Sequence, residues 1–170
     1  QKEAFYQVDG YRDIDHIASG DDMLLMQKIQ LRYPEGICYL KSRDAMVQTP
    51  AQPTWSSFLN QRIRWSSKAG HYDDKKLTAI LAFVYLFNLS FIVLALAGCF
   101  NIRYWYWLLG ILLAKIIAEL IFLAPVAGFY RKTKELLLFP LLQPLHILYI
   151  ITAGYLGKFG SYHWKGRQVK

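Results

Sequence analysis

The most constraining feature of this sequence is an apolar run of 24 residues, Leu77–Phe100, that contains no charged side chain. About 20 consecutive apolar residues in a helix span the hydrocarbon core of a bilayer, and a helix satisfies its own backbone hydrogen bonds there. The run therefore predicts a transmembrane helix, and it excludes an ordinary soluble domain for this part of the chain.

Two further apolar blocks follow, Tyr104–Tyr130 and Leu136–Gly157, and both are long enough to span a bilayer. The first block opens with four consecutive aromatic residues, which is typical of a membrane interface. It also contains Lys115 and Glu119, whose spacing of four predicts an ion pair on one helix face, turned toward other helices. The second block carries two prolines in its first half, so we expect that half to be kinked or broken.

The net charge of +8 is concentrated in the apolar part of the chain. Residues 77–170 contain nine Lys and Arg against two Asp and Glu, whereas residues 1–76 contain eleven against ten. This distribution favours anionic membrane lipids as partners. A nucleic-acid partner is not expected, because such a protein clusters its basic residues on a polar domain.

The positions of the basic residues also predict an orientation in the membrane. Five of them lie between Arg62 and Lys76, which places the residues before the first span in the cytoplasm, and the single Arg103 marks an outer loop. The tail, residues 158–170, carries four basic residues and also favours the cytoplasm, whereas three complete spans would place it outside. Either the third block is re-entrant or the tail is an exception to the charge rule.

The polar lead before the first span divides into two parts. Residues 1–52 are predicted as mixed α/β structure, with a helix that starts after Gly20 and short strands at Phe5–Val8, Ile37–Leu40 and Ala45–Val47. Residues 53–76 contain an amphipathic helix with basic and tryptophan side chains, which is typical of a helix lying flat on a membrane surface. The alternative is an ordinary amphipathic helix packed on a soluble core, but the apolar run directly downstream favours the membrane.

Two small clusters carry the residue types that chemistry needs. The first is Gly20-Asp21-Asp22, where the helix dipole keeps a carboxylate ionised and able to act as a general base on a hydroxyl. Taken alone, this pair is better explained as ordinary helix-start acids. The second is Gln61-x-x-Arg64-Trp65, in which Arg can grip a diphosphate, Trp can stack on a sugar ring and Gln can bind hydroxyls.

The order of these clusters resembles the family 2 glycosyltransferases with a GT-A fold, the group of cellulose and hyaluronan synthases and ceramide glucosyltransferases. The bacterial membrane enzymes of this family are the most similar. The resemblance covers nearly the whole chain, and it rests on Val8-Asp9-Gly10-Tyr11, Ser19-Gly20-Asp21-Asp22, Gln61-x-x-Arg64-Trp65 and the membrane helices after them. The closing Trp164-Lys165-Gly166-Arg167 resembles a tail found in some lipid-linked members.

The resemblance implies a role for each matching residue. Asp22 corresponds to the general base that deprotonates the acceptor hydroxyl, and Asp21 to its supporting partner. Arg64 corresponds to the residue that contacts the diphosphate leaving group, and Gln61 and Trp65 to acceptor-binding residues. The implied reaction is inverting transfer of a sugar from a nucleotide-sugar donor to a lipid or glycan acceptor, at the cytoplasmic face of a bacterial inner membrane.

The resemblance further implies that this chain is the closing part of a longer enzyme, and that these 170 residues alone are inactive. The nucleotide-binding strands and an Asp-x-Asp motif for a divalent metal, Mg²⁺ or Mn²⁺, would precede Gln1, so the metal ligands are expected outside this chain. Asp13-Ile14-Asp15 matches the Asp-x-Asp pattern. It lies just ahead of Asp21-Asp22, however, which is not where the family's metal motif stands in the order of motifs.

The expected architecture is therefore mainly α. It consists of the remnant of an α/β GT-A domain (residues 1–52), an interface helix (53–76), about three transmembrane helices (77–157) and a basic tail (158–170). The alternative is a small helical membrane transport or adaptor protein without catalysis, in which Lys115 and Glu119 form the working site. A transporter has no evident need for the polar lead and its two clusters.

Overall fold

A computed structural model describes residues 2–17, 20–71 and 74–169 of the chain. It divides into two compact units: Gln1–Lys75 with Tyr155–Lys170, and Lys76–Gly154. The described residues are mainly helical, with one small antiparallel sheet. The expectation of a mainly α chain is thus confirmed.

The first unit is built from three helices and a hairpin. The helices are α1 (Lys2–Gln7), α2 (Asp21–Arg32) and α3 (Trp55–Ser66), and a 3₁₀ helix over Ser67–His71 continues α3. The hairpin consists of β1 (Tyr162–Trp164) and β2 (Arg167–Val169).

The three strands predicted in residues 1–52 are wrong. Phe5 lies in α1, and its ring packs edge-to-face on Tyr11 at 5.3 Å between centroids. Residues 33–54 contain neither helix nor strand, and Ile37–Leu40 and Ala45–Val47 lie exposed in this irregular segment. A strand needs a neighbour to complete its backbone hydrogen bonds, and no described residue pairs with these segments. The expected α/β remnant is therefore not confirmed.

The predicted helix start after Gly20 is confirmed. Gly20 adopts the left-handed conformation, with φ of 98°, immediately before the two acids in the first turn of α2. A Cβ at this position would lie 2.6 Å from Cδ of Lys68, so the lysine stem packs directly over the glycine. Glycine is favoured here both by its φ and by this close approach. Ser19, which belongs to the same predicted motif, lies outside the described residues.

Helix α3 begins with a capping box. Thr54 Oγ1 accepts a hydrogen bond from the Ser57 amide at 3.1 Å, and Ser57 Oγ accepts one from the Thr54 amide at 3.2 Å. This pair satisfies two amides that a helix start leaves without partners. Ile63 is buried in the first unit, whereas Trp55 is 66% exposed. A helix is thus present where one was predicted, and it exposes an aromatic side chain at its start. Its place at a membrane surface stays a prediction.

The hairpin β1–β2 was not predicted from the sequence. Trp164 pairs with Arg167, so Lys165 and Gly166 form a two-residue turn. Both have positive φ, 48° and 77°, as a type I′ turn requires. Tyr162 of β1 is buried in the first unit.

The second unit consists of apolar helices. Helix α4 (Lys75–Gly98) leads into it, followed by α5 (Arg103–Phe129), a 3₁₀ helix (Thr133–Leu138) and α6 (Phe139–Phe159). In the described part of the chain, three helical segments are long and apolar enough to cross a membrane: Lys75–Gly98, Arg103–Phe129 and Thr133–Phe159. All three predicted blocks are thus helical. In the third block, the departure from α-helix lies in the 3₁₀ segment before Phe139, and α6 continues past Pro144.

A closed polar network lies inside the second unit. Lys115 Nζ donates to Glu119 Oε1 at 2.7 Å and to Gln143 Oε1 at 2.7 Å, and Gln143 Nε2 donates to Glu119 Oε2 at 2.6 Å. The predicted ion pair is therefore confirmed, and Gln143 from α6 completes it. Gln143 is fully buried and the Lys115 side chain is only 3% exposed. The network joins α5 to α6 through mutually satisfied groups.

Candidate functional site

A cavity of about 620 Å³ brings the two predicted clusters of the first unit together. Its lining comes from three parts of the chain: the segment leading into α2 together with its first turn, the end of α3 with the 3₁₀ helix after it, and the hairpin. The lining residues are Tyr11, Ile14, Asp15, Ile17, Gly20, Asp21, Asp22, Arg64, Trp65, Lys68, Trp164 and Lys165.

The acidic part of the lining is formed by Asp21 and Asp22. Both side chains are solvent-exposed and lie in the first turn of α2, where the helix dipole favours a negative charge. Lys28, farther along α2, donates to the carbonyls of Gly10 at 2.9 Å and Arg12 at 2.8 Å. These bonds hold the preceding loop, which contributes Tyr11 and Asp15 to the lining, against α2.

The basic part of the lining is formed by Arg64 and Lys68, which lie one helical turn apart. Burial lowers the pKa of Lys68 below its ordinary value; the Asp22 carboxylate opposes this shift, and the Arg64 guanidinium adds to it. The fields of both Asp22 and Arg64 therefore act on Lys68. A role for Lys68 could not be predicted from the sequence, because its position over Gly20 depends on tertiary contact.

The predicted acceptor residues are only partly brought to the cavity. Trp65 lines it and is 45% exposed, with the Arg62 guanidinium 4.6 Å from its ring centroid. Gln61 lies one turn earlier on α3, is half-buried and is not among the lining residues. Its predicted contact with an acceptor therefore stays a prediction.

The hairpin supplies a wall that sequence reasoning missed. The Trp164 ring faces the Arg64 guanidinium at 4.0 Å from the ring centroid, and Lys165 follows in the turn. The available signal was Gly166, since glycine is a strong marker of turns. The sequence gives no indication, however, that this turn packs against α3.

The described residues do not provide a metal site. In ranges 2–17, 20–71 and 74–169, no group of three or more His, Cys, Asp or Glu side chains is placed to hold a metal ion. Asp15 lines the cavity but Asp13, its partner in the Asp-x-Asp spelling, does not. The divalent metal implied by the family resemblance, with its ligands outside this chain, stays a prediction.

Carboxylates and cationic side chains line the same cavity. Carboxylates can accept a proton from a bound hydroxyl, while a guanidinium and an ammonium can stabilise developing anionic charge. A tryptophan face offers apolar contact for a ring. No protein-family model, curated protein or solved structure matches this chain.

Proposed function

We propose that this chain forms part of the catalytic site of an inverting glycosyltransferase that works at a membrane surface. The single observation that carries the proposal is that Asp22 and Arg64, from two separate sequence motifs, line the same cavity. A carboxylate that serves as general base and a cation that binds the phosphate groups are the two groups that a one-step sugar transfer needs. The presence of Trp65 in the same lining supports a carbohydrate ligand.

In the proposed reaction, Asp22 accepts the proton of the acceptor hydroxyl as its oxygen attacks the anomeric carbon of the donor sugar. The new carbon–oxygen bond forms while the bond to the nucleotide diphosphate breaks, and the diphosphate leaves with the electron pair. Arg64 stabilises the negative charge that builds up on the leaving group. A single displacement inverts the anomeric centre. Asp21 supports the orientation of Asp22, and Trp65 with Gln61 binds the acceptor sugar.

The proposal includes a location and partners. The three long apolar helices support a membrane protein, and we assign it to a bacterial inner membrane as a multi-pass protein with its catalytic part in the cytoplasm. The substrates are a nucleotide sugar and a lipid or glycan acceptor. Residues outside this chain would hold most of the donor and the divalent metal.

A second candidate function is membrane transport or a non-catalytic adaptor. The observation that favours transport is the Lys115–Glu119–Gln143 network, because ionisable groups inside a membrane often mark ion pathways. The three side chains satisfy one another, however, which is what a structural network requires. The cavity in the first unit has no part in such a function.

Replacement of Arg64 tests the proposed enzyme. In the intact membrane protein that contains this chain, a panel of radiolabelled nucleotide sugars should identify a donor whose label enters a lipid or glycan fraction. Arg64→Ala should lower the transfer rate by about 10²-fold or more and weaken binding of the nucleoside diphosphate. Arg64→Lys should also be impaired, because a point charge cannot replace the forked guanidinium.

Arg62→Lys is the matched control for this experiment. Arg62 lies on the same helix and also faces a tryptophan ring, but it does not line the cavity. Its replacement should leave transfer within a few-fold of wild type. Equal losses in the Arg62 and Arg64 variants, or no transfer from any donor by the wild type, would count against the proposal.

The two native cysteines test the proposed orientation. Cys38 and Cys99 are both exposed free thiols, one in the polar lead and one at the end of α4. Because basic residues cluster before α4, Cys38 should face the cytoplasm and Cys99 the outside. In single-cysteine variants, an impermeant maleimide should label Cys99 in intact spheroplasts and Cys38 only after lysis. The opposite pattern would reverse the proposed topology.

A further inference from the structure

The C-terminal hairpin contributes two residues, Trp164 and Lys165, to the lining of the cavity. We propose that this hairpin forms part of the diphosphate-binding subsite, with Trp164 positioning Arg64 and Lys165 binding the anion directly. The inference rests on the proposed function, because it takes Arg64 as the residue that contacts the leaving group. It adds a third wall to that subsite, and a further cation beside Arg64 and Lys68.

The hairpin is fastened to the helix that carries Arg64. The side-chain amide of Asn60 donates to the His163 carbonyl at 2.8 Å and accepts from the His163 amide at 2.8 Å. A two-stranded hairpin is marginally stable by itself, so this pair of bonds helps to set where it lies. Asn60 is one turn before Arg64 on α3, which places Trp164 beside the arginine.

The contact between Trp164 and Arg64 orients the guanidinium. Its central carbon lies 4.0 Å from the centroid of the indole ring, well within the range of a cation–π interaction. An arginine side chain has many rotamers in water, and stacking on a flat ring removes most of them. Trp164 therefore acts through Arg64 as a positioning residue.

Lys165 occupies a backbone position that lysine does not favour. Its φ is 48°, and the first central position of a type I′ turn is usually Asn, Asp or Gly. A non-glycine residue held at positive φ is a reason to look for function. Here the same residue lines the cavity, so its ammonium gives a functional reason for its presence.

Three cations from separate parts of the first unit line the cavity: Arg64 from α3, Lys68 from the 3₁₀ helix and Lys165 from the hairpin. A ligand that pairs with all three cations has to present several anionic oxygens to them. A diphosphate does so, and it is also the leaving group of the proposed reaction. The chemical class of the ligand is thus a diphosphate ester, and inorganic pyrophosphate is its simplest probe.

Lys165→Asn separates charge from turn geometry, because Asn suits positive φ better than Lys does. Pyrophosphate binding should be measured by calorimetry on the intact protein in a neutral detergent at low salt. We expect Lys165→Asn to weaken binding about tenfold, as for loss of one charge-assisted hydrogen bond, with the melting temperature unchanged or raised. Arg167→Asn is the matched control, since it removes a cation of the same hairpin that does not line the cavity.

Trp164 is tested with two replacements. Trp164→Leu removes the aromatic face and should weaken pyrophosphate binding about two- to fivefold, as for loss of one cation–π contact. Trp164→Phe keeps an aromatic face and should recover most of that loss. A merely structural tryptophan would instead lower the melting temperature in both variants without separating their affinities.

The outcomes distinguish the role of the hairpin from the proposed function on which it rests. If Arg64→Ala abolishes pyrophosphate binding while Lys165→Asn and Trp164→Leu bind as the wild type does, the hairpin has no part in the subsite, and the proposed function stands. If Arg64→Ala also binds as wild type, or the wild type does not bind pyrophosphate, the leaving-group assignment fails and the inference with it. An equal effect of Arg167→Asn and Lys165→Asn would reduce the result to general electrostatics and overturn the role of Lys165.

Discussion

Asp22→Asn should lower the transfer rate of the intact protein by about 10²–10⁴-fold, the usual contribution of a general base. Binding of the nucleoside diphosphate should be preserved, because Asp22 acts on the acceptor hydroxyl. The variant keeps the shape and helix-start preference of the side chain, since Asn is also favoured near helix starts. Rate and diphosphate affinity should therefore separate, in contrast to Arg64→Ala, in which both fall.

Asp13→Asn is the control for this experiment. Asp13 does not line the cavity, and its φ of 67° is one that Asn adopts readily. Its replacement should leave the rate within a few-fold. If Asp22 only supported the start of α2, Asp22→Asn would cost about 0.3–1 kcal/mol of stability and leave much of the activity. Retention of more than about a tenth of the wild-type rate would show that Asp22 is not the base.

Glu119→Leu should destabilise the protein by about 3 kcal/mol or more, because it leaves the buried Lys115 ammonium with only the Gln143 oxygen as a partner. Replacing the whole network, in the triple variant Lys115→Met, Glu119→Leu and Gln143→Leu, should restore most of that stability. Apolar side chains of similar volume often replace buried ion pairs without loss. Thermal unfolding of both variants in the same detergent measures the difference in stability.

The triple variant also decides between the two candidate functions. Under the proposed function, sugar transfer should stay within a few-fold of wild type, because the network is structural. If the triple variant folds with a normal melting temperature and yet loses all function, the network itself is the functional site, and the transport alternative is favoured. Glu135→Leu is a suitable control, since its ion pair with Lys132 is exposed at both ends.

The helices could be predicted from the sequence because their signals are local. An uncharged apolar run predicts α4, and Gly20 with two following acids predicts the start of α2. The strands predicted over residues 37–47 failed for the complementary reason. β-propensity describes how well residues fit a sheet, and among residues 2–17, 20–71 and 74–169 no strand pairs with this segment. Sequence propensity could not reveal that absence.

In the site, too, the residues with local sequence signals could be predicted, and those placed by tertiary contact could not. Sequence motifs identified Asp22, Arg64 and Trp65, and the structure places all three in one cavity lining. The roles of Lys68 and Lys165 could not be recognised in this way. Nothing in a Lys-Ala-Gly or Lys-Gly sequence predicts which surface the lysine side chain will face. Gln143 shows the same limit in the second unit, where a long-range contact turned an expected pair into a network of three.

The bonds between Asn60 and His163 also restrict how many times the chain crosses the bilayer. These residues precede and follow the whole apolar region, and they touch, so both belong to the same aqueous compartment. A path that leaves a compartment and returns to it makes an even number of crossings, which is incompatible with three complete ones. If α4 and α5 both cross, the segment Thr133–Phe159 enters and leaves the bilayer from one side. The basic tail then lies on the same side of the bilayer as α3, in agreement with the charge rule, which assigns both to one side.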